Sequence, residues 1–125
     1  MNGWILFAHG SSDPDWAQPL RAIEQRLVSR HGRQVIALAF LERQSPGLDQ
    51  AAAQLVDAGV SHITIIPMFL GMGGHLKRDL PELIAALRER WKTVEFQLAP
   101  AIGESRNLIE AIADWISSDI VQPRS

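Results

Sequence analysis

The chain contains no cysteine. Disulfides, thiolate metal ligands and a cysteine nucleophile are therefore excluded, and a reducing cytoplasm is the expected compartment. Positive charge is not in excess: 12 Lys and Arg against 14 Asp and Glu leave a formal net charge of -2. Nucleic acid and anionic membrane surfaces select concentrated positive charge, so neither is an expected partner. No apolar run approaches the ~18 residues of a membrane span, and the N-terminus lacks the basic and apolar segments of an export signal. Repeats and low-complexity tracts are missing too. What is present is 125 residues, 46% hydrophobic and 21% charged, enough for one globular domain with a single core. That domain is expected over 1–121, with 122–125 as a loose tail.

Short continuous apolar runs alternate with amphipathic stretches. Trp4 to Ala8 is wholly apolar, as in a strand covered on both faces. Asp13-Pro14 has the form of a helix N-cap and first helical residue; Trp16, Leu20, Ile23 and Leu27 follow at helical spacing to about His31-Gly32. Val35 to Leu41 reads as a second strand. Ser45-Pro46 then opens a helix carrying Leu48, Ala52, Leu55 and Val56, with Gly59 as its stop. Ile63 to Ile66 is a third strand. Asp79-Leu80-Pro81-Glu82 has the spacing of a capping box, placing a helix start there with Leu83, Ile84 and Leu87 inward. Val94 to Leu98 forms a fourth strand. A last helix, 104–118, directs Leu108, Ile109, Ile112, Trp115 and Ile116 inward.

This βαβαβαβα order predicts an α/β fold: one three-layer domain, a four-stranded parallel sheet and helices on both faces. A chain this short suits the flavodoxin-like strand order 2-1-3-4, which makes strands 1 and 3 neighbours. Ligands bind at such a switch point, in the crevice between the carboxyl ends of those strands.

Two histidines are placed by the strand order where both could face that crevice. His9 follows the first strand directly in His9-Gly10-Ser11-Ser12, and His75 ends the glycine-rich segment Gly71-Met72-Gly73-Gly74 after the third. Either alone could merely bond a neighbouring loop. Adjacent strands lie ~4.8 Å apart, so together they can hold one metal ion or shuttle protons. Glu42 and Arg43 reach the same edge after the second strand, Glu42 as relay partner or as a solvated loop glutamate. Ser11 and Ser12 either cap the first helix or hold a substrate carboxylate at its N-terminus. Gly73 and Gly74 match neither GxGxxG nor GxxxxGK[ST], and serve better as room for a flat ligand than as a phosphate loop. Asp79 is first an N-cap. Lys77, Arg78 and Arg43 place positive charge on the rim, and Met68, Phe69 and Met72 supply an apolar face. His31 and His62 fall on the opposite edge and are read as structural; Trp16, Trp91 and Trp115 fit core faces.

These residues also carry a resemblance. The strand ending in His9-Gly10-Ser11, Phe40-Leu41-Glu42 with Pro46 beyond it, and Pro67-Met68-Phe69-Leu70 leading through glycines to His75, Asp79 and Pro81 resemble the CbiX family. Its members are small single-domain class II chelatases, lyases that insert a divalent metal into sirohydrochlorin in cobalamin or sirohaem synthesis. The resemblance runs nearly the whole length. It implies metal ligation by His9 and His75, an acidic neighbour at Glu42, and a homodimer replacing the two halves of longer chelatases. One segment departs: Ile102-Gly103-Glu104-Ser105-Arg106-Asn107 stands where the family usually continues from glycine to a His-Pro-like stretch, and leaves Arg106 to engage a substrate carboxylate.

The resulting expectation is a tetrapyrrole (sirohydrochlorin-like) substrate and Co2+, Fe2+ or Ni2+ as co-substrate, without a tightly bound organic cofactor. Neutral imidazole suits all three ions. Two other classes compete. A non-catalytic tetrapyrrole or metal carrier would keep the histidines without accelerating insertion. A small hydrolase would draw Ser11, His75 and Asp79 as a triad, but the GxSxG elbow is missing.

Overall fold

A computed structural model describes residues 1–120; the tail expected at 122–125 lies outside the described residues. The strands are β1 (Asn2–Ala8), β2 (Ile36–Phe40), β3 (His62–Pro67) and β4 (Glu95–Leu98). They alternate with helices α1 (Gln18–His31), α2 (Leu48–Asp57), α3 (Gly74–Arg90) and α4 (Arg106–Trp115). All strand pairs are parallel, in the order β2-β1-β3-β4. The fold class and strand order read from the sequence are those observed.

The two sheet faces are covered unequally. Ile5, Phe7, Ile63 and Ile65 are fully buried against Leu80, Ile84 and Leu87 of α3, with Ala51, Ala52 and Leu55 of α2 beside them. Burying each large side chain contributes roughly 1.5–3 kcal/mol. On the other face Ala8 and Phe40 cluster with Ala17, while Leu20, Leu38 and Met68 are only half-buried. Neither α1 nor α4 has a fully buried residue.

All four helices differ from the sequence expectation, three of them in where they start. α1 starts at Gln18, not Asp13, because Pro19 fits only a first helical turn. Asp13 instead closes a turn, accepting from Trp16 N through its carbonyl and from Asp15 N through Oδ1. α2 is capped at Gly47, whose N–H donates to Gln50 Oε1, rather than at Ser45. α3 begins at Gly74 and passes through Pro81, so Asp79 is not its cap. Leu76 stands one turn before Leu80 and packs on the same core, extending the apolar stripe ahead of the proline. The stripe outweighs the lost backbone bond. α4 differs in burial: Trp115 is 53% and Ile109 50% exposed. Trp16 is exposed as well, whereas Trp91 packs on the core under the Arg90 guanidinium, 4.4 Å from the ring centre.

Candidate metal and macrocycle site

The register sets the carboxyl edge. Ala8 pairs with Phe40 and Phe7 with Pro67, so His9, Leu41 and Met68 leave the sheet at one level. β1 and β3 then send their chains in opposite directions, opening the switch-point crevice.

The loop after β1 is fastened to the loop after β2 by a continuation of the strand ladder. Leu41 N donates to Ala8 O at 2.9 Å and Glu42 N to His9 O at 3.1 Å. Ser11 N then donates to the Gln44 side-chain oxygen at 3.0 Å. Gly10, at φ 93°, lies so close that a Cβ would sit 1.9 Å from Glu42 O. This contact demands glycine. It brings His9 Nδ1 to 4.0 Å from Glu42 Oε1, with both side chains more than half exposed.

The loop after β3 is fastened from the other side. Met68 N donates to Phe7 O, and Gly103 N donates to Phe69 O at 3.1 Å. Gly103 leaves no room for a side chain against Leu70 O. The buried Phe69 ring thereby meets His9 edge-on, with ring centres 5.9 Å apart. Around Gly71, Gly73 and Gly74 nothing approaches within 4 Å of a built Cβ. Those glycines border open space.

His75 lies in the first turn of α3, whose opening N–H groups have no side-chain cap. Asp79 follows one turn later on the same helix face. His9, Leu41, Phe69, Gly71, Gly73, Gly74, His75, Leu76 and Asp79 line one cavity of about 270 Å³. Larger concavities exist along β2 and β4, but neither contains a histidine. Chemistry, not size, selects the site.

The remaining sequence candidates do not line this cavity. Glu42 stands behind His9, and Ser11 caps its own turn by accepting from Asp13 N. Ser12, Lys77 and Arg106 are exposed, and Arg43 adopts φ 69° on the exposed β2 loop. Met68 faces a different, apolar groove with Trp4, Leu6, Ile23, Leu27 and Ile66. His31 stacks edge-on with Trp4, and His62 lies between Glu95 and Gln97 at the far edge. Neither Gln44 nor Leu76 is among the candidates that the sequence offers. Leu76 was readable from its spacing to Leu80; Gln44 belongs to no pattern.

Among the described residues, no three His, Asp or Glu side chains converge as a metal cage. A resident ion takes three or four protein ligands, whereas two imidazoles leave positions open for an incoming ligand.

This is the geometry of a class II chelatase, an α/β domain with paired imidazoles at the switch point. The CbiX family model matches residues 3–119, and the chain belongs to the CbiX family. It is 29% identical over 116 residues to the sirohydrochlorin cobaltochelatase of Sulfurisphaera tokodaii, covering 93% of this chain and 92% of that one. Among solved structures it superposes on a cobalamin (vitamin B12) biosynthesis CbiX protein of Marinobacter aquaeolei with TM-score 0.83 and 32% identity, covering 94% and 95% of the two chains. It also superposes on the sirohydrochlorin chelatase SirB of Bacillus subtilis in complex with cobalt, with TM-score 0.76 and 26% identity. That match covers 94% of this chain but 50% of the SirB chain.

Proposed function

We propose that the protein is a chelatase that inserts a divalent metal ion, Co2+ or Fe2+, into sirohydrochlorin or a related tetrapyrrole. The observation that carries this reading is the meeting of His9 and His75, from the ends of two adjacent strands, at one cavity. Family membership and the similarity to named sirohydrochlorin chelatases support it.

In this reading the two imidazoles take the ion from water and present it to the macrocycle. Insertion forms four metal–nitrogen bonds and releases two pyrrole protons, so a base is needed beside the ligands. Glu42 near Nδ1 favours the tautomer with its proton there, leaving the Nε2 lone pair for the ion. As ring nitrogens replace imidazole, the freed histidine accepts a pyrrole proton, and Glu42 stabilises the imidazolium. Leu41, Phe69 and Leu76 offer the ring an apolar wall. The uncapped N–H groups of α3, with Arg43, Lys77 and Arg106, meet its carboxylates. Ser11, Ser12, Gly73 and Gly74 border its path, while Asp79 stands beside His75 as a second proton acceptor.

No organic cofactor enters this chemistry. A cavity of about 270 Å³ is below the ~300–1,000 Å³ of enclosed small-ligand sites and can hold only one side of a tetrapyrrole. The other wall is supplied by a second copy, giving a homodimer; the chain spans half of the SirB chain it matches.

The test follows anaerobic sirohydrochlorin absorbance with Co2+ or Fe2+ for wild type, His9→Ala and His75→Ala. Wild type should exceed the protein-free rate, and each variant should lose about 100-fold. A wild-type rate equal to the protein-free rate removes the chelatase reading; unchanged variants remove the site.

A further inference from the structure

A metal-ligating imidazole is ordinarily oriented by a hydrogen bond on its other ring nitrogen. His9 lacks that support. Glu42 Oε1 lies 4.0 Å from Nδ1, beyond hydrogen-bond distance, so the carboxylate acts through its charge and does not set the ring plane. Among the described residues no side-chain hydrogen bond reaches the ring. The side chain is also 58% exposed, which leaves most of it without packing. Its aromatic neighbour is Phe69, with ring centres 5.9 Å apart and planes inclined at 74°.

Phe69, unlike His9, is held on several sides. It is buried, and its ring meets that of the fully buried Phe7 edge-on, 6.1 Å between centres. Its carbonyl accepts from Gly103 N at 3.1 Å. Gly103 sits in the single turn Ile102–Glu104, directly after the buried Ala101, and any side chain there would run into Leu70 O. That contact fixes the backbone on the far side of Phe69 as well. The restraint ends there: Leu70 is exposed, and Gly71, Gly73 and Gly74 border open space. Gly103 also stands at the head of the segment where the sequence departs from the family pattern. It is joined to the site through Phe69, whereas Arg106 of the same segment is exposed.

We infer that Phe69, locked in place by Gly103, is the positioning residue of His9. Its ring holds the imidazole plane so that the nitrogen turned away from Glu42 is presented to the cavity shared with His75. The inference rests on the reading of His9 as a metal ligand. A free imidazole on the surface samples several rotamers, and each binding event must then select one of them. A ring already held by Phe69 has met that cost on folding. Loss of a hydrogen-bonded partner behind a metal-binding histidine lowers affinity roughly 10–100-fold. An aromatic edge is a weaker restraint than a charged hydrogen bond, so the lower end, about 10-fold, is expected here.

The experiment titrates the full chain with Co2+ in a calorimeter, without tetrapyrrole, so that the wall Phe69 offers a macrocycle plays no part. Circular dichroism controls for folding. Phe69→Leu keeps an apolar side chain but no ring, and should weaken Co2+ binding about 10-fold. Phe69→Tyr, which keeps the ring, should recover most of that loss. Gly103→Ala, at a residue that does not line the histidine cavity, should weaken binding to a similar degree by displacing Phe69. In wild type, nuclear Overhauser contacts should join the Phe69 and His9 ring protons, a readout that needs no substitution and decides the matter if a variant fails to fold. Absence of those contacts overturns the inference. So do folded Phe69→Leu and Gly103→Ala variants that bind Co2+ as wild type does, or a loss that Phe69→Tyr does not recover. A wild type with no measurable Co2+ affinity removes the ligand reading and the inference with it. Chelatase rates report separately: a protein that shows the expected affinity pattern yet does not accelerate insertion loses the proposed activity and keeps the positioning role.

Discussion

Replacing Gly10 by alanine is the sharpest test of how the fold positions His9. The added Cβ would lie 1.9 Å from Glu42 O, and the residue is held at φ 93°. An L side chain in that backbone region costs roughly 1–2 kcal/mol. Real Cβ contacts do not fall below 3.0 Å, so the two loops must part by about 1 Å or more. Overpacking of that kind costs roughly 1–3 kcal/mol. The sum is about 2–5 kcal/mol, which for a domain of this size lowers Tm by about 10 °C or more. The parting also separates His9 from Glu42 and strains the Ser11–Gln44 bond, so metal insertion should fall with stability. Gly74→Ala is the internal control, because nothing approaches within 4 Å there and the residue opens α3. It should be neutral or stabilising by up to about 1 kcal/mol. Thermal and urea unfolding followed by far-UV circular dichroism measure both. Gly10→Ala within 0.5 kcal/mol of Gly74→Ala, on the order of experimental error for such fits, would refute the loop-fastening argument.

Other consequences are open to the same methods. Gln44→Ala removes the acceptor for Ser11 N, and should cost about 1 kcal/mol and slow insertion; Gln44→Glu, which keeps an acceptor, should restore most of it. Pro81→Ala should raise stability by about 1–2 kcal/mol in urea unfolding, because interior proline costs α3 roughly 3 kcal/mol and its loss returns only part of that through the unfolded chain.

The strands were legible because β1 and β2 are short, almost wholly apolar runs and β3 and β4 are short stretches rich in β-branched or alternating apolar residues, and their alternation with amphipathic helices left few topologies. Helix starts were less so. Pro14 and Pro81 both look like first-turn residues, and only the competition with Pro19 and with Leu76 decides where α1 and α3 begin. The meeting of His9 and His75 followed from strand order, which is why residues 66 positions apart could be read together. What fastens His9 was not legible. Gly10 and Gln44 act through a backbone approach and one side-chain bond between loops, and neither leaves a periodic trace. The stripe on α4 was plain in sequence, but amphipathicity says that a face must be covered, not which chain covers it.

Two imidazoles holding one ion are the centre of the proposed chemistry. A double-mutant cycle measures that directly, from kcat/KM for Co2+ insertion by wild type, His9→Ala, His75→Ala and the double variant. If both ligate the same ion, either loss already breaks the site. The double variant should then fall little below the worse single one, with a coupling energy on the order of 2 kcal/mol. Losses that multiply as for independent residues, or single variants that keep the wild-type rate, would contradict the account.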